Sequence, residues 1–417
     1  MARSALAWCA AVVFLLLAGT SSYSNAQTNA DLSGWLIGRI GYGLDSDHDP
    51  CRLNQQLLQL EWKPPTLQTW QLDVKLWAEH ETELEPKTTQ ELTLRKLTLQ
   101  KEASHWALTL GKQIVLWGKA DGFQLLNIVN PLDLREFVLG DDLRRRLPLW
   151  MVNAQLFPNQ NQQIQFLLIP QTYHDRLPDP GGEFDLAATM PPGTELLPLQ
   201  EPGNEPHNWS YGLRWKATFE GWGVSLIGLR NLAGTPVAFP SLTPQGRLQL
   251  QPQVVKRTVF GAAADWSTGA AVVRFELAYS PDEYRTFTSP EGIAFLKRKS
   301  SWRTLLGIDW YVHNWLISPQ IFDVEADGQA GILSNPDGRF ASILVERRFY
   351  YNKLSLRLFG ASSLLCTDYW ITLSARYQLR DYLEVAAEGD WLGGGRQGFF
   401  GQFDGEDRVV VEIKVFF

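Results

Sequence analysis

Charged side chains of both signs are concentrated between residues 119 and 148, in a stretch that also carries much apolar surface. The charged members that could act on a solute are Asp121, Asp133, Arg135, Glu136, Asp141, Asp142, Arg144, Arg145 and Arg146. In a narrow and poorly screened space, reversing the sign of such charges alters ion preference. On an open surface the same charges would pair with one another or with external phosphates.

Other groups that could do chemistry are sparse. Asp45, Asp47 and Asp49 could hold a cation, but a calcium loop needs a glycine where Pro50 stands and a carboxylate where Gln56 stands. A solvated turn is the better interpretation of this acidic group. The six histidines have no metal-ligand spacing, and no G-x-S-x-G nucleophile frame accompanies them. We therefore expect no metal site, no cofactor, no catalytic residues and no enzyme activity.

Composition and the N-terminus restrict the class of protein. The net charge of −7 argues against a nucleic-acid binder, which would carry a basic face. Arg3 precedes an apolar run at residues 5–18, and Ser24-Asn25-Ala26 supplies small residues for cleavage. This pattern is typical of a secretory signal peptide, residues 1–26, and the run is too short for a transmembrane helix of about 20 residues. Mean hydropathy is −0.18 and no second long apolar run follows, which excludes helical spans.

The remaining chain, residues 27–417, has a hydrophobic period of two. One segment shows the pattern clearly. Its apolar positions are Trp209, Tyr211, Leu213, Trp215, Ala217 and Phe219. They alternate with Ser210, Gly212, Arg214, Lys216 and Thr218. Each such segment has one apolar and one polar face when extended. The segments are nearly ten residues long, the length of a tilted membrane-crossing strand, whereas strands of soluble sheets average about 5–6 residues.

Eighteen such segments can be counted. Their centres are Ile37, Leu58, Val74, Leu94, Leu108, Val152, Phe166, Leu213, Leu226, Phe260, Phe275, Leu306, Ile317, Ile343, Leu356, Leu373, Val385 and Val411. The segment at Leu94 changes face before Leu97, which predicts a bulge, and Pro319 weakens the segment at Ile317. Connections after even-numbered segments are short and all the long ones follow odd-numbered segments, as in outer-membrane barrels with short periplasmic turns. The sequence therefore predicts an all-β, up-and-down antiparallel transmembrane barrel of about 18 strands, with 16 as the alternative, in the bacterial outer membrane.

Aromatic residues agree with this topology. Those at the predicted periplasmic strand ends are Trp62, Trp70, Phe219, Trp222, Trp266, Trp310, Trp315 and Tyr382. Aromatic rings favour both membrane interfaces. The last segment ends at Phe417, and a terminal aromatic of this kind resembles the signal that barrel assembly machinery recognises. Outer-membrane lipid, lipopolysaccharide and this machinery are the expected partners, with no nucleic acid.

Residues 110–149 read LGKQIVLWGKADGFQLLNIVNPLDLREFVLGDDLRRRLPL. The pieces Gly-Lys-Gln, Trp-Gly-Lys-Ala-Asp and Asn-Pro-Leu-Asp-Leu-Arg-Glu resemble a proteobacterial family of uncharacterised outer-membrane barrels, which has a general likeness to alginate-export-type porins. The resemblance covers about forty residues and implies architecture and location, not a substrate.

The same stretch is predicted to be a helical insert, residues 119–148. Asn130 can cap a helix that begins at Pro131 and ends at Gly140, and a second short turn fits residues 141–147. Its apolar side chains require burial, so we expect it to fold into the lumen as a constriction. The alternative is an outer cap packed on neighbouring loops.

The polar faces of the strands predict a wet lumen, because Lys or Arg on the lipid face would cost about 2–4 kcal/mol each at the midplane. The basic wall residues singled out are Arg214, Lys216, Arg257, Arg274, Arg303, Arg357 and Arg376. A slight basic excess would favour anions, unless these residues only pair across strands.

The function predicted from these patterns is an outer-membrane channel, a porin-like transporter of small polar or anionic solutes, constricted by residues 119–148. The alternative is a structural or docking barrel, the outer-membrane partner of a periplasmic export or envelope complex.

Overall fold

The computed structural model describes residues 31–44, 51–65, 69–82, 88–123, 125–178, 182–185, 190, 193–288, 294–328 and 338–417. The predicted signal peptide and the acidic group at residues 45–49 lie outside these residues. The described chain forms a closed barrel of 18 antiparallel strands and one small sheet of three strands.

The strands are numbered along the chain. Those of the barrel are β1 (Asp31–Gly43), β2 (Cys51–Lys63), β3 (Trp70–Thr82), β4 (Thr88–Glu102), β5 (Trp106–Gln113), β6 (Leu149–Asn159), β7 (Gln162–Ile169), β9 (Ser210–Phe219), β10 (Trp222–Leu232), β13 (Lys256–Thr268), β14 (Ala271–Thr288), β15 (Ala294–Val312), β16 (Trp315–Ala326), β17 (Gly338–Phe349), β18 (Leu354–Ser363), β19 (Asp368–Arg380), β20 (Leu383–Gly394) and β21 (Arg408–Phe416). The small sheet contains β8 (Glu195–Leu196), β11 (Val237–Leu242) and β12 (Leu248–Gln253).

Each barrel strand pairs with its neighbours in chain order, and β1 pairs with β21 from Trp35↔Phe416 to Gly43↔Arg408. The terminal Phe417 extends this closure, because it exchanges backbone hydrogen bonds of 2.8 and 3.0 Å with Gly34. The closure leaves no free sheet edge, which is the condition for a sheet to cross a bilayer.

The alternation in the sequence becomes two faces of the wall. On β9 the exposed side chains Tyr211 and Leu213 lie on the outer face, while Ser210 and Gly212 are buried on the inner face. Large apolar side chains such as Leu226, Leu306 and Leu373 are likewise exposed on the outside. An apolar band of this kind is stable against hydrocarbon rather than water.

All eighteen predicted segment centres lie in the eighteen barrel strands, so the prediction of 18 strands is confirmed and the alternative of 16 is wrong. The register of β3 and β4 shifts between Lys75 and Leu76 and leaves Arg95 without an opposite residue, which confirms the bulge. Pro319 does not interrupt β16. Pro319 lies opposite Ile343 of β17. The pairing of β16 with β15 skips Ser318 and Pro319, because proline has no N–H to donate.

Short turns and long connections lie at opposite ends of the barrel, as predicted. One long connection differs from the prediction, since β14 and β15 continue as a hairpin to Thr288 and from Ala294, and little remains of the predicted loop at residues 281–299. Among the described residues no helix is long and apolar enough to cross a membrane.

The helix predicted from Pro131 to Gly140 is wrong. Asn130 does not cap a helix, because its side chain accepts from the Val115 N–H at 2.8 Å and donates to the Leu147 carbonyl at 2.9 Å. Phe137 adopts a φ of 51°, which a helix does not allow. These tertiary hydrogen bonds tie together the two ends of the insert and outweigh the local helix signal.

The second predicted turn exists as a short helix, α1 (Asp142–Arg145). Asp141 caps it by accepting from the Arg144 N–H at 3.0 Å. Helical structure is therefore a minor part of the insert.

Candidate functional site

Residues 114–148, here called the insert, leave the barrel wall after β5 and cross the lumen. Trp117 donates its indole N–H to Gln165 of β7 at 2.9 Å, under Gly212, where a Cβ atom would lie 2.6 Å from the Trp117 ring. Lys119 forms an ion pair with Asp265, close to the short-turn end of β13. The insert therefore reaches much deeper than the mouth of the barrel.

One side of the insert is sealed by apolar packing against β16 and β17. Phe123 stacks on Phe322 with ring centroids 4.8 Å apart and an interplanar angle of 4°, and it lies 5.9 Å from Phe340. Leu125 and Leu126 are 1% exposed in the same cluster. The rings exclude water and ions at this contact, while Asp121 close by in the insert accepts a hydrogen bond from Gln320 of β16 at 2.7 Å.

The opposite side of the insert meets β1, β3 and β21 through ion pairs. Glu136 lies 2.8 Å from Arg39 and 2.6 Å from Arg408. Arg135 lies 3.1 Å from Glu79 and 3.1 Å from Glu81. A cavity of about 90 Å³ remains between the insert and this wall, and both groups line it. We call this region the charged slit.

Two further contacts extend the charged slit. Arg144 of α1 lies 3.1 Å from Glu412 of β21, and Arg95 donates to the carbonyls of Leu143 and Arg144 at 3.1 Å. Polar groups thus line the slit on both the wall and the insert, and a polar solute would find hydrogen-bond partners there.

Glu136 is held in its charged form. Burial alone would raise the pKa of this carboxyl, yet the Arg39 and Arg408 guanidiniums keep it well below its usual range. Paired charges of this kind order the insert, because removal of one member leaves its buried partner uncompensated.

The predicted site residues divide into two groups. Arg135, Glu136 and Arg144 reach the charged slit, and Asp121 reaches the wall elsewhere, 2.9 Å from Arg274 and 2.7 Å from Gln320.

The second group bonds within the insert, although Asp133, Asp141 and Arg145 also line the cavity of the charged slit. Asp133 lies 2.8 Å from Arg135, and the fully buried Arg146 lies 2.8 Å from Asp142. Asp141 caps α1, and Arg145 donates to the Val138 carbonyl. The three consecutive arginines therefore have three different environments, and Arg144 contacts Glu412 of the wall.

The basic wall residues also differ in pairing. Arg274 lies 2.6 Å from Asp309, and Arg303 lies 2.5 Å from Glu283. Within the described residues the other five make no ion pair, namely Arg214, Lys216, Arg257, Arg357 and Arg376. Most of the inward acids do have basic partners, among them Asp73, Glu79, Glu91, Asp265, Asp309 and Glu412. Within the described residues, three inward acids, Glu276, Glu384 and Glu388, also make no ion pair, against five basic wall residues.

A second element in the lumen, residues 395–407, was not predicted from the sequence. Its backbone N–H groups at Phe399, Phe400 and Gly401 donate to Asp368 of β19 at 2.8–3.0 Å. Phe403 packs on Phe137 of the insert with ring centroids 4.8 Å apart. Three phenylalanines in a glycine-rich connection were the signal that could have identified it, since apolar loop residues require burial.

Comparisons with known proteins agree with this architecture. A family model described as "Protein of unknown function (DUF1302)" matches residues 99–332. No curated protein matches the sequence. Among solved structures, the chain is similar to OccAB2 of Acinetobacter baumannii, with 11% identity and a TM-score of 0.53, covering 94% of this chain and 99% of that one. It is also similar to OccK5 (OpdH) of Pseudomonas aeruginosa, with 10% identity and a TM-score of 0.54, covering 93% and 98%. These likenesses are to outer-membrane porins and show a shared fold.

Proposed function

This chain belongs to the DUF1302 family of proteins of unknown function, and we propose that it is an outer-membrane channel of the porin kind. It passes small polar solutes, with a preference for anions, along a route constricted by the insert. The observation that carries the proposal is the two-sided seating of the insert, which packs Phe123 against β16 and β17 and is ion-paired against β1, β3 and β21.

The outer membrane as location is supported by the closed barrel and its apolar outer face. The short turns then face the periplasm and the long connections face outward. Outer-membrane lipid, lipopolysaccharide and the barrel assembly machinery are the partners that this location requires.

The route follows the charged slit. Apolar packing around Phe123 admits neither water nor ions, whereas the slit offers charged groups on both walls. Only about 90 Å³ is free there, so solute passage requires local rearrangement of pairs such as Arg135–Glu79. These side chains are only partly buried, and partly solvated ion pairs rearrange more readily than apolar packing.

Anion preference is supported by the exposed wall residues. Arg357 and Arg376 are exposed on the inner face of β18 and β19 and make no ion pair within the described residues. Unpaired positive charge in a lumen raises the local concentration of anions. The likeness to alginate-export-type porins, which rests on residues 110–149, remains a prediction.

The reversal potential of the purified protein in planar bilayers under a KCl gradient tests this proposal. We expect a stable conductance with anion preference, and a shift toward cations when Arg357 and Arg376 are both replaced by Glu. Arg247→Glu is the matched control, because Arg247 is exposed between β11 and β12, outside the barrel wall. A conductance with unchanged selectivity in the double variant would contradict the proposed role of these arginines.

A docking or structural barrel is the second candidate, and the extent of packing inside the lumen favours it. The insert and residues 395–407 together fill much of the cross-section, as the contact between Phe137 and Phe403 illustrates. Folded protein that remains electrically silent would support a barrel that serves a periplasmic or envelope partner and would contradict the channel.

A further inference from the structure

A second cavity, of about 400 Å³, lies on the other face of the insert. Its floor is the insert, its wall is formed by β13, β14 and β15, and its roof is formed by the connections that follow β7 and β10. The apolar side chains that line it include Leu125, Leu132, Leu134, Val237, Leu250 and Val259. This volume is in the range of small-molecule sites, which are about 300–1,000 Å³.

Arg257 of β13 is the unusual member of this lining. Its guanidinium makes one hydrogen bond, from Nε to the Asn231 side-chain oxygen at 3.3 Å, and no ion pair within the described residues. Arg303, which lines the same cavity, is instead held by Glu283 at 2.5 Å. A guanidinium beside apolar walls is costly unless an anion compensates it.

The acidic residues that line the cavity are hydrogen-bonded or ion-paired to groups other than Arg257. Asp175 accepts from the Leu132 N–H at 2.8 Å and from the Thr235 hydroxyl at 2.8 Å. Asp282 accepts from the Thr258 N–H at 3.2 Å. These hydrogen bonds hold the roof and wall together. Glu283, the third acid, bonds directly to Arg303 and Ser301, so its charge reaches Arg257 only from a distance. A direct ion pair of Arg257 therefore requires a bound anion.

We propose that this cavity binds an amphipathic anion, with its acidic group on Arg257 and its aliphatic or aromatic body against the leucines. A guanidinium suits a carboxylate because it donates two parallel hydrogen bonds. The apolar lining gives affinity in proportion to the surface that the body of the ligand buries. The proposal rests on the channel function only for the route by which the ligand arrives, since binding itself requires no transport.

Isothermal titration calorimetry on the detergent-solubilised full chain, with a protein-free micelle titration subtracted, tests the proposal with octanoate. We expect saturable binding of octanoate at least about tenfold tighter than that of octanamide, because a hydrogen bond to a charged group is the stronger one. Acetate, which has the charge without the apolar body, should bind far more weakly than octanoate.

Two variants separate the parts of the site. Arg257→Gln should lower the affinity for octanoate to that for octanamide, while Leu250→Trp should weaken both ligands by filling the cavity from the β11–β12 hairpin. Arg247→Gln is the matched control and should bind octanoate as the parent does. Heat-modifiable migration on gels establishes that each variant is a folded barrel.

Absence of saturable octanoate binding by the folded parent overturns the proposal, and so does an unchanged affinity in Arg257→Gln. Octanoate binding by a protein that carries no current would contradict the channel and leave this site standing.

Discussion

Replacement of Glu136 by Gln should loosen the insert without opening the barrel. The substitution keeps the shape of the side chain and removes the charge between Arg39 and Arg408, which are 4% and 0% exposed. Loss of one partner from a buried pair costs about 3–5 kcal/mol. Arg408 keeps Glu183 at 3.1 Å and Asp390 at 3.4 Å, so we expect a cost at or below the lower end of this range, about 2–3 kcal/mol.

Hydrogen exchange measured by mass spectrometry is the appropriate assay, because local opening of the insert is separate from unfolding of the wall. A cost of about 2–3 kcal/mol corresponds to roughly 30- to 150-fold faster exchange at Leu134 and Phe137, whose N–H groups donate to Arg176 and Leu134 carbonyls in the insert region. Strand amides of β17 should not change. Glu195→Gln, in the exposed small sheet, is the control. Exchange within about threefold of the parent would refute the assigned role of Glu136.

Three further results are expected. The pKa of Glu136 is lowered in the folded protein, so the stability that its charge contributes is complete above the unfolded pKa of 4.5 and is lost as the pH falls below that value. Acidification from pH 7 to about pH 3 should therefore speed hydrogen exchange of the insert, corrected for intrinsic rates, more in the parent than in Glu136→Gln. Leu373→Arg, on the lipid face, should impair assembly by about 2–4 kcal/mol, whereas Ser374→Arg, on the lumen face, should be tolerated; equal yields of folded barrel would count against the assignment of faces. Replacement of residues 119–148 by a Gly-Ser linker should increase single-channel conductance, and a parental conductance from normally inserted protein would mean that the insert does not constrict the route.

The barrel could be predicted in detail because its signal is local and repeated. Every strand carries its own alternation, and the position of a segment such as that at Leu373 follows from its neighbours in sequence. The bulge at Arg95 was predictable for the same reason, since a change of face along one strand appears directly in the order of side chains.

The inside of the barrel was less predictable, because it depends on contacts between residues far apart in sequence. The sequence places Glu136 near other charged residues of the insert, but the arginines that pair with it, Arg39 and Arg408, come from opposite ends of the chain. Gly212 is another example. Alternation alone suggests an inner position that accepts a large side chain, whereas the Trp117 ring occupies that space.

The wall and the insert have separate sources of stability, and this separation bears on how a route could open. The wall is closed by backbone hydrogen bonds between every pair of adjacent strands, and these remain intact if the insert moves. The insert is anchored on one side by the apolar contacts of Phe123 and on the other by ion pairs of Arg135 and Glu136. The ion pairs can rearrange without breaking the contact between Phe123 and Phe322, and we expect this rearrangement to widen the charged slit. A solute that competes for Arg135 or Arg144 would favour the widened state, because a ligand shifts an equilibrium toward the conformation that it binds better.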